Sequence, residues 1–418
     1  ISNFFHSKFF NQIPVISWAV VDFSKTVYYV AVVGIFFPLW MSKTLSMSDA
    51  IIGNTIALSM IVTFICSPLI GSISDQTGKR VPYLFVGILA CVISTLSIGF
   101  TENVFISITA FAIGLISINL SDVIYNAMLF DVSEEFNRSK ISGFGAATGY
   151  AGAILAIILA ITFSGDGNYI VGFRVVALTL FVLSIPAMIF IKEKKLPSRK
   201  FVSLYESFFY AYSNFRKTFI EIIRSRKDIN TFLIAKCWYT CSVYTSQTFA
   251  VLYGVQTAGY SERQVQLLVF FGTLIAIPSA YFLGVLVGKF GSKIVLINML
   301  SIWILVLLTA AFLPNMNFDT QIFWIILTIL CGISISGIWV SDRPYMLDIL
   351  PKSIIGQGFS VHSMSARLSS IIGPFTWGII STTINLRQQA ALMSLVVFAL
   401  IGLFFVFTLE KNKKNHII

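Results

Sequence analysis

The chain has 418 residues, of which 56% are hydrophobic and only 11% are charged, and its mean hydropathy is +0.85. Soluble domains carry about 25% charged residues, so this composition excludes a soluble globular protein. The net charge of +11 would suggest a nucleic-acid partner in a soluble protein, but in a membrane protein such a balance follows from Lys and Arg placed beside the spans.

Twelve apolar runs are each long enough to cross a bilayer as a helix, which takes about 20 residues. They cover residues 15–41, 48–70, 82–100, 104–130, 141–163, 170–191, 230–255, 263–287, 294–313, 320–349, 358–380 and 388–409. The longest connection, residues 192–229, has apolar residues at helical spacing with Lys and Arg between them, which predicts an amphipathic helix on the cytoplasmic surface. The sequence therefore predicts an all-α polytopic membrane protein with twelve transmembrane helices in two pseudo-symmetric six-helix halves, residues 1–191 and 230–418, joined by this linker.

The basic residues are divided unequally between the two sides of the predicted bundle. Of the 29 Lys and Arg, 21 lie in the N-terminal tail, every second loop, the linker and the C-terminal tail. Four lie in the loops or at the span ends of the other side, and four lie deeper within the spans. Because cytoplasmic loops carry an excess of Lys and Arg, we expect both termini in the cytoplasm. The frequent Ile, Phe, Lys and Asn are typical of an AT-rich prokaryote and hence of a multi-pass protein of the cell membrane.

The loop after the second span carries a charged motif, Gly71-x-x-x-Asp75-x-x-Gly78-x-Arg80. Gly71 lets two helices approach, Gly78 permits a tight turn, and Asp75 can accept hydrogen bonds at a helix N-terminus. The motif resembles the cytoplasmic loop signature of the major facilitator superfamily, so we predict that these four residues latch a cytoplasmic gate. A weaker copy without the acid follows the eighth span. An ordinary charged loop is the alternative interpretation.

A second motif also occurs in both halves. Ser121-Asp122-x-x-Tyr125 stands near the end of the fourth span, and Ser341-Asp342-x-x-Tyr345 stands near the end of the tenth. Repeats of this kind predict two halves related by an axis along the membrane normal, with substrate bound at mid-membrane where the halves meet.

Seven charged residues lie inside the predicted spans, at least six residues from either end. Each would cost about 2.5–3.5 kcal/mol at the bilayer centre, or on the order of 20 kcal/mol together if they faced lipid, which exceeds the stability of a typical fold. They must therefore face a shared polar interior, and this indicates a transporter. In the superfamily, spans 1, 4, 7 and 10 line the cavity. The predicted substrate-binding residues on these spans are Trp18, Asp22, Lys25, Tyr29, Asn119, Asn126, Lys236, Tyr244, Gln247 and Trp339.

The intramembrane charges also suggest a class of cargo. Away from their ends, the spans hold four cations, Lys25, Lys236, Arg343 and Arg367, against three acids, Asp22, Asp122 and Asp342. An anionic or zwitterionic cargo held by the two lysines would offset the surplus positive charge. In the alternative interpretation Asp22 neutralises Lys25 at i,i+3 spacing and Asp342 neutralises Lys236, which leaves an almost neutral cavity.

Coupling and gating have their own candidates. If protons drive transport, we expect Asp22 or Asp122 to carry the proton, because intramembrane acids mark proton pathways. His362 is the next candidate, although a lone histidine is more often hydrogen-bonded structure. Asp342, Arg343 and Arg367 are predicted gate residues, and for both Asp122 and Asp342 a substrate role competes with a gate role.

Six stretches spread over most of the chain resemble one branch of the superfamily, that of the vacuolar amino-acid effluxers of autophagy and their bacterial relatives. The stretches are Trp18-Ala-Val-Val-Asp22-Phe23, Phe36-Phe37-Pro38, Tyr125-Asn126-Ala127-x-Leu129, Ser142-Gly143-x-Gly145 with Gly149-Tyr150, Asp342-Arg343-Pro344 and Ile372-Gly373-Pro374. The resemblance implies secondary transport, with amino acids as the best-known cargo. Lys25 stands where the branch usually has Asn, which leaves room for a different cargo.

Glycines recur along the fifth span, at Gly143, Gly145, Gly149 and Gly152. Such spacing favours close helix packing. It also resembles the superfamily's antiporter motif without its usual proline.

The sequence has no phosphate-binding loop, metal-binding cluster or nucleophile–base set, so we expect no enzyme, no cofactor and no ATP-driven step. The predicted protein is a monomeric secondary transporter of a small polar, amino-acid-like solute, working by alternating access and coupled to protons or another ion. Its partners are that solute, the coupling ion and the lipid bilayer, with no nucleic acid. The alternatives are an exporter of lipophilic compounds and a non-transporting receptor or lipid scramblase on the same fold.

Overall fold

The computed structural model of the chain is built of helices that follow the apolar runs of the sequence and end at turns. It describes residues 13–134, 138–164, 167–191, 193, 212–213, 227–317, 319–350 and 355–409, and the side chains of all of these except residues 75–76, 138–140 and 355–360. The twelve helices of these ranges are α1 (Ile13–Thr44), α2 (Asp49–Thr77), α3 (Val81–Ser97), α4 (Val104–Val132), α5 (Arg138–Ser164), α6 (Tyr169–Phe190), α7 (Lys227–Gln256), α8 (Glu262–Phe290), α9 (Ser292–Phe312), α10 (Gln321–Ile349), α11 (Ile355–Gly378) and α12 (Arg387–Thr408).

The predicted twelve-helix membrane architecture is confirmed over this described part of the chain. Nine of the helices are long and apolar enough to cross a membrane, and α3 is a shorter apolar helix. The other two, α7 and α11, carry the polar side chains of a buried cluster described below. The predicted amphipathic helix of the linker lies almost wholly outside the described residues and stays a prediction.

The helix ends differ from the predicted ones by a few residues, for local reasons. The third span was predicted to reach residue 100, but α3 ends at Ser97, and the extended Ile98 followed by Gly99 with a φ of 70° turns the chain. Gly78 has a φ of 64° in the turn between α2 and α3, as the predicted tight turn requires. A capping box formed by Ser261 and Gln264 begins α8.

The first half of α1 is regular, but a π-helical segment, Tyr28–Phe36, follows it. Such segments widen the helix and occur often at functional sites. This one begins three residues after Lys25 and includes Tyr29, so it lies beside the charged face of α1.

The chain forms two compact units, one within Ile1–Leu45 and Ile61–Asn214 and the other within Ser46–Met60 and Phe215–Ile418. Inside the first unit, α1 packs on α5 and α6, and α3 packs on α4 and α6. Inside the second unit, α7 packs in the same way on α11 and α12, and α9 packs on α10 and α12. The two units therefore share these packing contacts.

The beginning of α2 belongs to the second unit, where it meets α11 and α12. Oδ2 of the buried Asp49 accepts hydrogen bonds from Nε1 of Trp377 at 3.1 Å and from Nε2 of Gln388 at 2.8 Å. A Cβ on Gly53 would lie 2.3 Å from the carbonyl oxygen of Pro374. Close backbone contact and a satisfied carboxylate therefore hold this end of α2 in place.

Candidate functional site

A cluster of charged and phenolic side chains lies inside the first unit. Lys25 of α1 is 3% exposed and donates a hydrogen bond to Asp122 of α4. Its Nζ lies 3.6 Å from Oδ1 of Asp22, one turn away on α1. The hydroxyl of Tyr29 donates to Oδ2 of Asp122 at 2.7 Å. Lys25 is thus held by two carboxylates, and 27% of the Asp22 side chain and 24% of the Asp122 side chain remain exposed.

An aromatic pair covers this cluster. The rings of Trp18 and Tyr125 are stacked, with centres 4.6 Å apart and planes 5° from parallel. Nε1 of Trp18 donates to the backbone oxygen of Tyr125 at 3.1 Å, and Nζ of Lys25 lies 3.5 Å from the centre of the Tyr125 ring. A Cβ at Gly145 of α5 would come within 2.6 Å of the Trp18 ring, so the glycine is required for this stack.

The second unit contains a corresponding cluster. Lys236 of α7 donates to Oδ2 of Asp342 on α10, and the hydroxyl of Tyr239 donates to Oδ1 at 2.6 Å. Nε2 of His362, from α11, lies 3.1 Å from Oδ1 of the same carboxylate. Only 3% of the Asp342 side chain is exposed. One carboxylate therefore joins three helices through three neighbours.

Each unit thus has a lysine, an aspartate and a tyrosine in the same relation. The lysine and tyrosine lie on α1 or α7, and the aspartate lies on α4 or α10, at the repeated Ser-Asp-x-x-Tyr motif. The two clusters differ in access, because Asp122 is partly exposed whereas Asp342 is enclosed. The first cluster is therefore partly open, and the second is enclosed by its helices.

The structure places both lysines in ion pairs, as in the second interpretation of the sequence. Lys25 has Asp122 as its hydrogen-bonded partner as well as Asp22, and Lys236 has Asp342. The role of these lysines in holding a cargo stays a prediction. A cargo would have to compete with a carboxylate already in place.

The remaining predicted binding residues occupy different settings. In the second unit the rings of Tyr244 and Trp339 are tilted and 5.4 Å apart, and Gln247 is exposed. In the first unit the amide of Asn119 donates to the carbonyl of its own helix four residues back, at 2.8 Å, whereas Asn126 is exposed. Asn119 is thus used within α4, and the other four side chains are at least partly exposed.

The predicted gate residues are only partly described. Nη1 of Arg80 donates to Oδ2 of Asp131 at 3.0 Å, and both side chains are buried. Oε1 of Glu193 accepts from the backbone N–H groups of Arg80 and Val81 at 2.5 Å, which caps α3. The side chain of Asp75 lies outside the described residues. Its gate role stays a prediction.

The other gate candidates are less enclosed. Gly71 lies in α2, and a Cβ there would have Val123 of α4 as its nearest neighbour at 3.7 Å. Arg343 is exposed and Arg367 is half-buried. Their gate roles remain predictions as well.

Four residues of these networks were not among the predicted site residues, although Tyr125 stands in the repeated motif: Tyr125, Asp131, Glu193 and Tyr239. Tyr239 follows Lys236 by three residues, as Tyr29 follows Lys25 by four, so the helical spacing could have indicated it. Glu193 and Asp131 are linked to Arg80 only by tertiary packing. Among the described residues no three His, Cys, Asp or Glu side chains form a group that could hold a metal ion.

Comparison with known families gives one match that runs through both units. A family model described as Major Facilitator Superfamily matches residues 26–374 and 237–417. An uncharacterized MFS-type transporter of Bacillus subtilis (strain 168), YxiO, is 24% identical over 409 residues, which covers 93% of this chain and 92% of the relative. Autophagy-related protein 22 of Yarrowia lipolytica is 23% identical over 311 residues, 66% of this chain and 51% of that protein.

Solved structures agree on the fold. The nucleoside transporter NupG superimposes with a TM-score of 0.74 at 12% identity, covering 95% of this chain and 100% of that chain. A POT family transporter in complex with a thioalcohol-conjugated peptide superimposes with a TM-score of 0.73 at 13% identity, covering 94% of each chain. At such low identity these likenesses concern the fold and not the cargo.

Proposed function

The chain belongs to the Major Facilitator Superfamily, and from this premise we propose that it is a secondary active transporter of a small polar solute. The solute is anionic or zwitterionic and amino-acid-like, and it moves across the cell membrane by alternating access. The observation that carries this proposal is the partly exposed cluster of Asp22, Lys25 and Asp122 within transmembrane helices. Charges at such depth are costly and are retained where polar cargo or ions pass.

Support for an amino-acid-like cargo comes from the chain's relatives and from the cluster's chemistry. Autophagy-related protein 22 is similar over two-thirds of the chain, and the sequence resembles the branch of amino-acid effluxers. A site holding carboxylates beside an ammonium offers partners to both ends of a zwitterion. An exporter of lipophilic compounds would not require buried charges, so that alternative does not explain the cluster.

We propose protons as the coupling ion, with Asp22 and Asp122 as the coupling residues. Both are carboxylates inside the membrane with about a quarter of the side chain exposed, so a proton can reach them. His362 contacts Asp342 in the enclosed cluster and is the second candidate.

Placement in the cell membrane with both termini in the cytoplasm is supported by the distribution of Lys and Arg.

Reconstitution into proteoliposomes tests this function. Proteoliposomes that contain the purified protein are loaded with a mixture of unlabelled amino acids. Uptake of each labelled amino acid by counterflow is then measured with and without a pH gradient. We expect Asp22→Asn and Asp122→Asn to abolish gradient-driven accumulation but to retain exchange at weaker apparent affinity, because each variant lacks a proton carrier and one cargo contact while the rest of the cluster persists.

The control for this experiment is Glu102→Gln, which makes the same chemical change at an exposed acid outside the helices. It should accumulate cargo like the unmodified protein. Accumulation by both aspartate variants would move the coupling role to His362. Absence of any exchange with polar solutes would favour a receptor or scramblase instead.

A further inference from the structure

Arg343 is the most exposed of the four cations inside the spans. Lys25 and Lys236 are both buried and held by carboxylates, and Arg367 is half-buried. The Arg343 side chain is exposed, and it makes no hydrogen bond or ion pair with any atom of the described residues. A guanidinium carries five N–H donors and a permanent positive charge, so Arg343 has its whole binding capacity available.

Arg343 lies on a face of α10 that is turned toward α7. Trp339 is one helical turn before it on the same face, and the Trp339 ring lies 5.4 Å from the ring of Tyr244 on α7. Nζ of Lys236, also on α7, lies 5.9 Å from the centre of the Trp339 ring. A charge that faces lipid tails is costly. The exposure of Arg343 on this inward face therefore indicates a polar opening beside α7.

The charges around Arg343 leave one positive charge without compensation. The carboxylate of the adjacent Asp342 is already paired with Lys236. Arg343 interacts electrostatically with both Lys236 and His362, so these residues form one local group. Even when His362 is uncharged, this group holds two cations and one anion. The surplus positive charge that the sequence predicts within the spans thus lies here.

The first unit has no equivalent of this cation. In the repeated Ser-Asp-x-x-Tyr motif, Val123 occupies the position that Arg343 has in the second unit. The cluster of the first unit holds the carboxylates of Asp22 and Asp122 against the single ammonium of Lys25. The helix contacts that both units share therefore do not require an arginine at this position.

We propose that Arg343, and not Lys25 or Lys236, binds the anionic group of the transported solute. A guanidinium can donate two parallel hydrogen bonds to a carboxylate or a phosphate, so the recognised group is an oxyanion. Either lysine would first have to leave a carboxylate, whereas Arg343 has none to leave. This inference rests on the proposed transport function, and it gives Arg343 a binding role in place of the predicted gate role.

The experiment compares α-amino acids with their carboxamides, which keep the size and the amine of the acid but lack its negative charge. Binding to the purified protein is measured from the rise in unfolding temperature with ligand concentration. We expect the unmodified protein to bind the acids at least about tenfold more tightly than the amides, the factor that a hydrogen bond to a charged group supplies.

Arg343→Gln removes the guanidinium and should bind acids and amides about equally. Its unfolding temperature without ligand should not change, because the side chain has no hydrogen bond or ion pair to lose among the described residues. Arg343→Lys keeps the charge without the paired donors and should retain only part of the preference for acids. Arg263→Gln makes the same change at an exposed arginine at the start of α8 and should bind like the unmodified protein.

A lipid headgroup also offers an oxyanion, and Arg343 lies near one end of its helix. Ile349, the last residue of α10, is six residues further on, which corresponds to about 9 Å. The measurements are therefore repeated in nanodiscs of phosphatidylcholine with and without phosphatidylglycerol. If Arg343→Gln loses only a stabilisation by phosphatidylglycerol and keeps the preference for acids, the arginine binds lipid and the inference is wrong.

Other results would overturn the inference while leaving transport intact. A purely gating arginine would leave the preference for acids unchanged in both Arg343→Gln and Arg343→Lys. A structural arginine would lower the ligand-free unfolding temperature of Arg343→Gln enough to account for its weaker binding. Equal binding of acids and amides by the unmodified protein would also reject the role of Arg343. Failure of the unmodified protein to bind any probe would instead contradict the proposed function, and this inference with it.

Discussion

Lys236 illustrates how strongly one buried residue depends on its neighbours. The residue is 2% exposed, and its ammonium donates to Asp342, whose carboxylate also accepts from Tyr239 and contacts His362. Removing one member of a buried ion pair leaves the other charge uncompensated, which typically costs about 3–5 kcal/mol. At Lys236 this cost should appear in folding before it appears in cargo binding.

We therefore predict that Lys236→Gln lowers the free energy of unfolding by about 3–5 kcal/mol and that Lys236→Gln combined with Asp342→Asn recovers much of the loss. Thermal unfolding in detergent measures both. Lys227→Gln is the control, because Lys227 lies exposed at the start of the same helix and should change stability little.

The opposite result would support the other interpretation of the sequence. If Lys236→Gln folds normally but binds acidic ligands more weakly by a kcal/mol or more, roughly one hydrogen bond to a charged group, then the lysine holds cargo. The same test at Lys25 is less decisive, because Lys25 has two carboxylate neighbours and keeps one of them when the other is removed.

At the scale of helices, the glycines of α5 determine how closely it approaches α1. A Cβ on Gly152 would lie 2.4 Å from the backbone oxygen of Phe23, and Gly145 and Gly149 face Trp18 and Asp22. Three of the four glycines on this span thus confirm the predicted close packing. Gly143 does not take part, since a Cβ there would meet nothing within 4 Å.

This difference yields a matched pair of variants on one helix. We predict that Gly152→Ala destabilises the protein by about 1–3 kcal/mol, the usual effect of overpacking, because the clash is with backbone that cannot rotate away. Gly143→Ala should be neutral or should stabilise by up to about 1 kcal/mol through helix propensity. Unfolding temperatures in detergent measure both changes, and equal effects of the two would contradict the packing argument.

At the scale of the whole protein, the proposed transport requires a gate that opens and closes. Arg80 of the loop after α2 pairs with Asp131, and Glu193 caps α3. Asp75 remains the predicted latch, because an acid at that position can accept hydrogen bonds from a helix N-terminus. A latch that is removed should change the population of states and leave the fold intact.

We predict that Asp75→Asn shifts the protein toward the inward-open state without lowering its unfolding temperature. Single cysteines at the cytoplasmic ends of α4 and α10, placed in a background without other reactive cysteines, should then be labelled faster by a membrane-impermeant thiol reagent. Glu102→Gln, an acid-to-amide change at the opposite end of α3, should leave labelling unchanged. Unaltered labelling together with normal transport by Asp75→Asn would remove this residue from the gate.

The sequence alone determined the number of spans and the helices that carry the charges. Both depend on local composition, because a run of about 20 apolar residues is long enough to cross the bilayer, and it can do so only as a helix. The repeated Ser-Asp-x-x-Tyr motif and the glycines of α5 are local patterns too, and the sequence shows them directly. Helix ends were less accurate, since a single glycine such as Gly99 decides where a helix stops.

Only the tertiary structure decided which charges meet. By spacing, Lys25 has Asp22 as its natural partner, yet it donates to Asp122, which is 97 residues away on α4. Lys236 and Asp342 are 106 residues apart, and His362 joins them from a third helix. Pairing between distant residues depends on how the helices pack and rotate against one another, and no local pattern in the sequence records this. The same packing enclosed Asp342 and left Asp122 partly exposed, so it also decided how the two equivalent clusters differ in exposure.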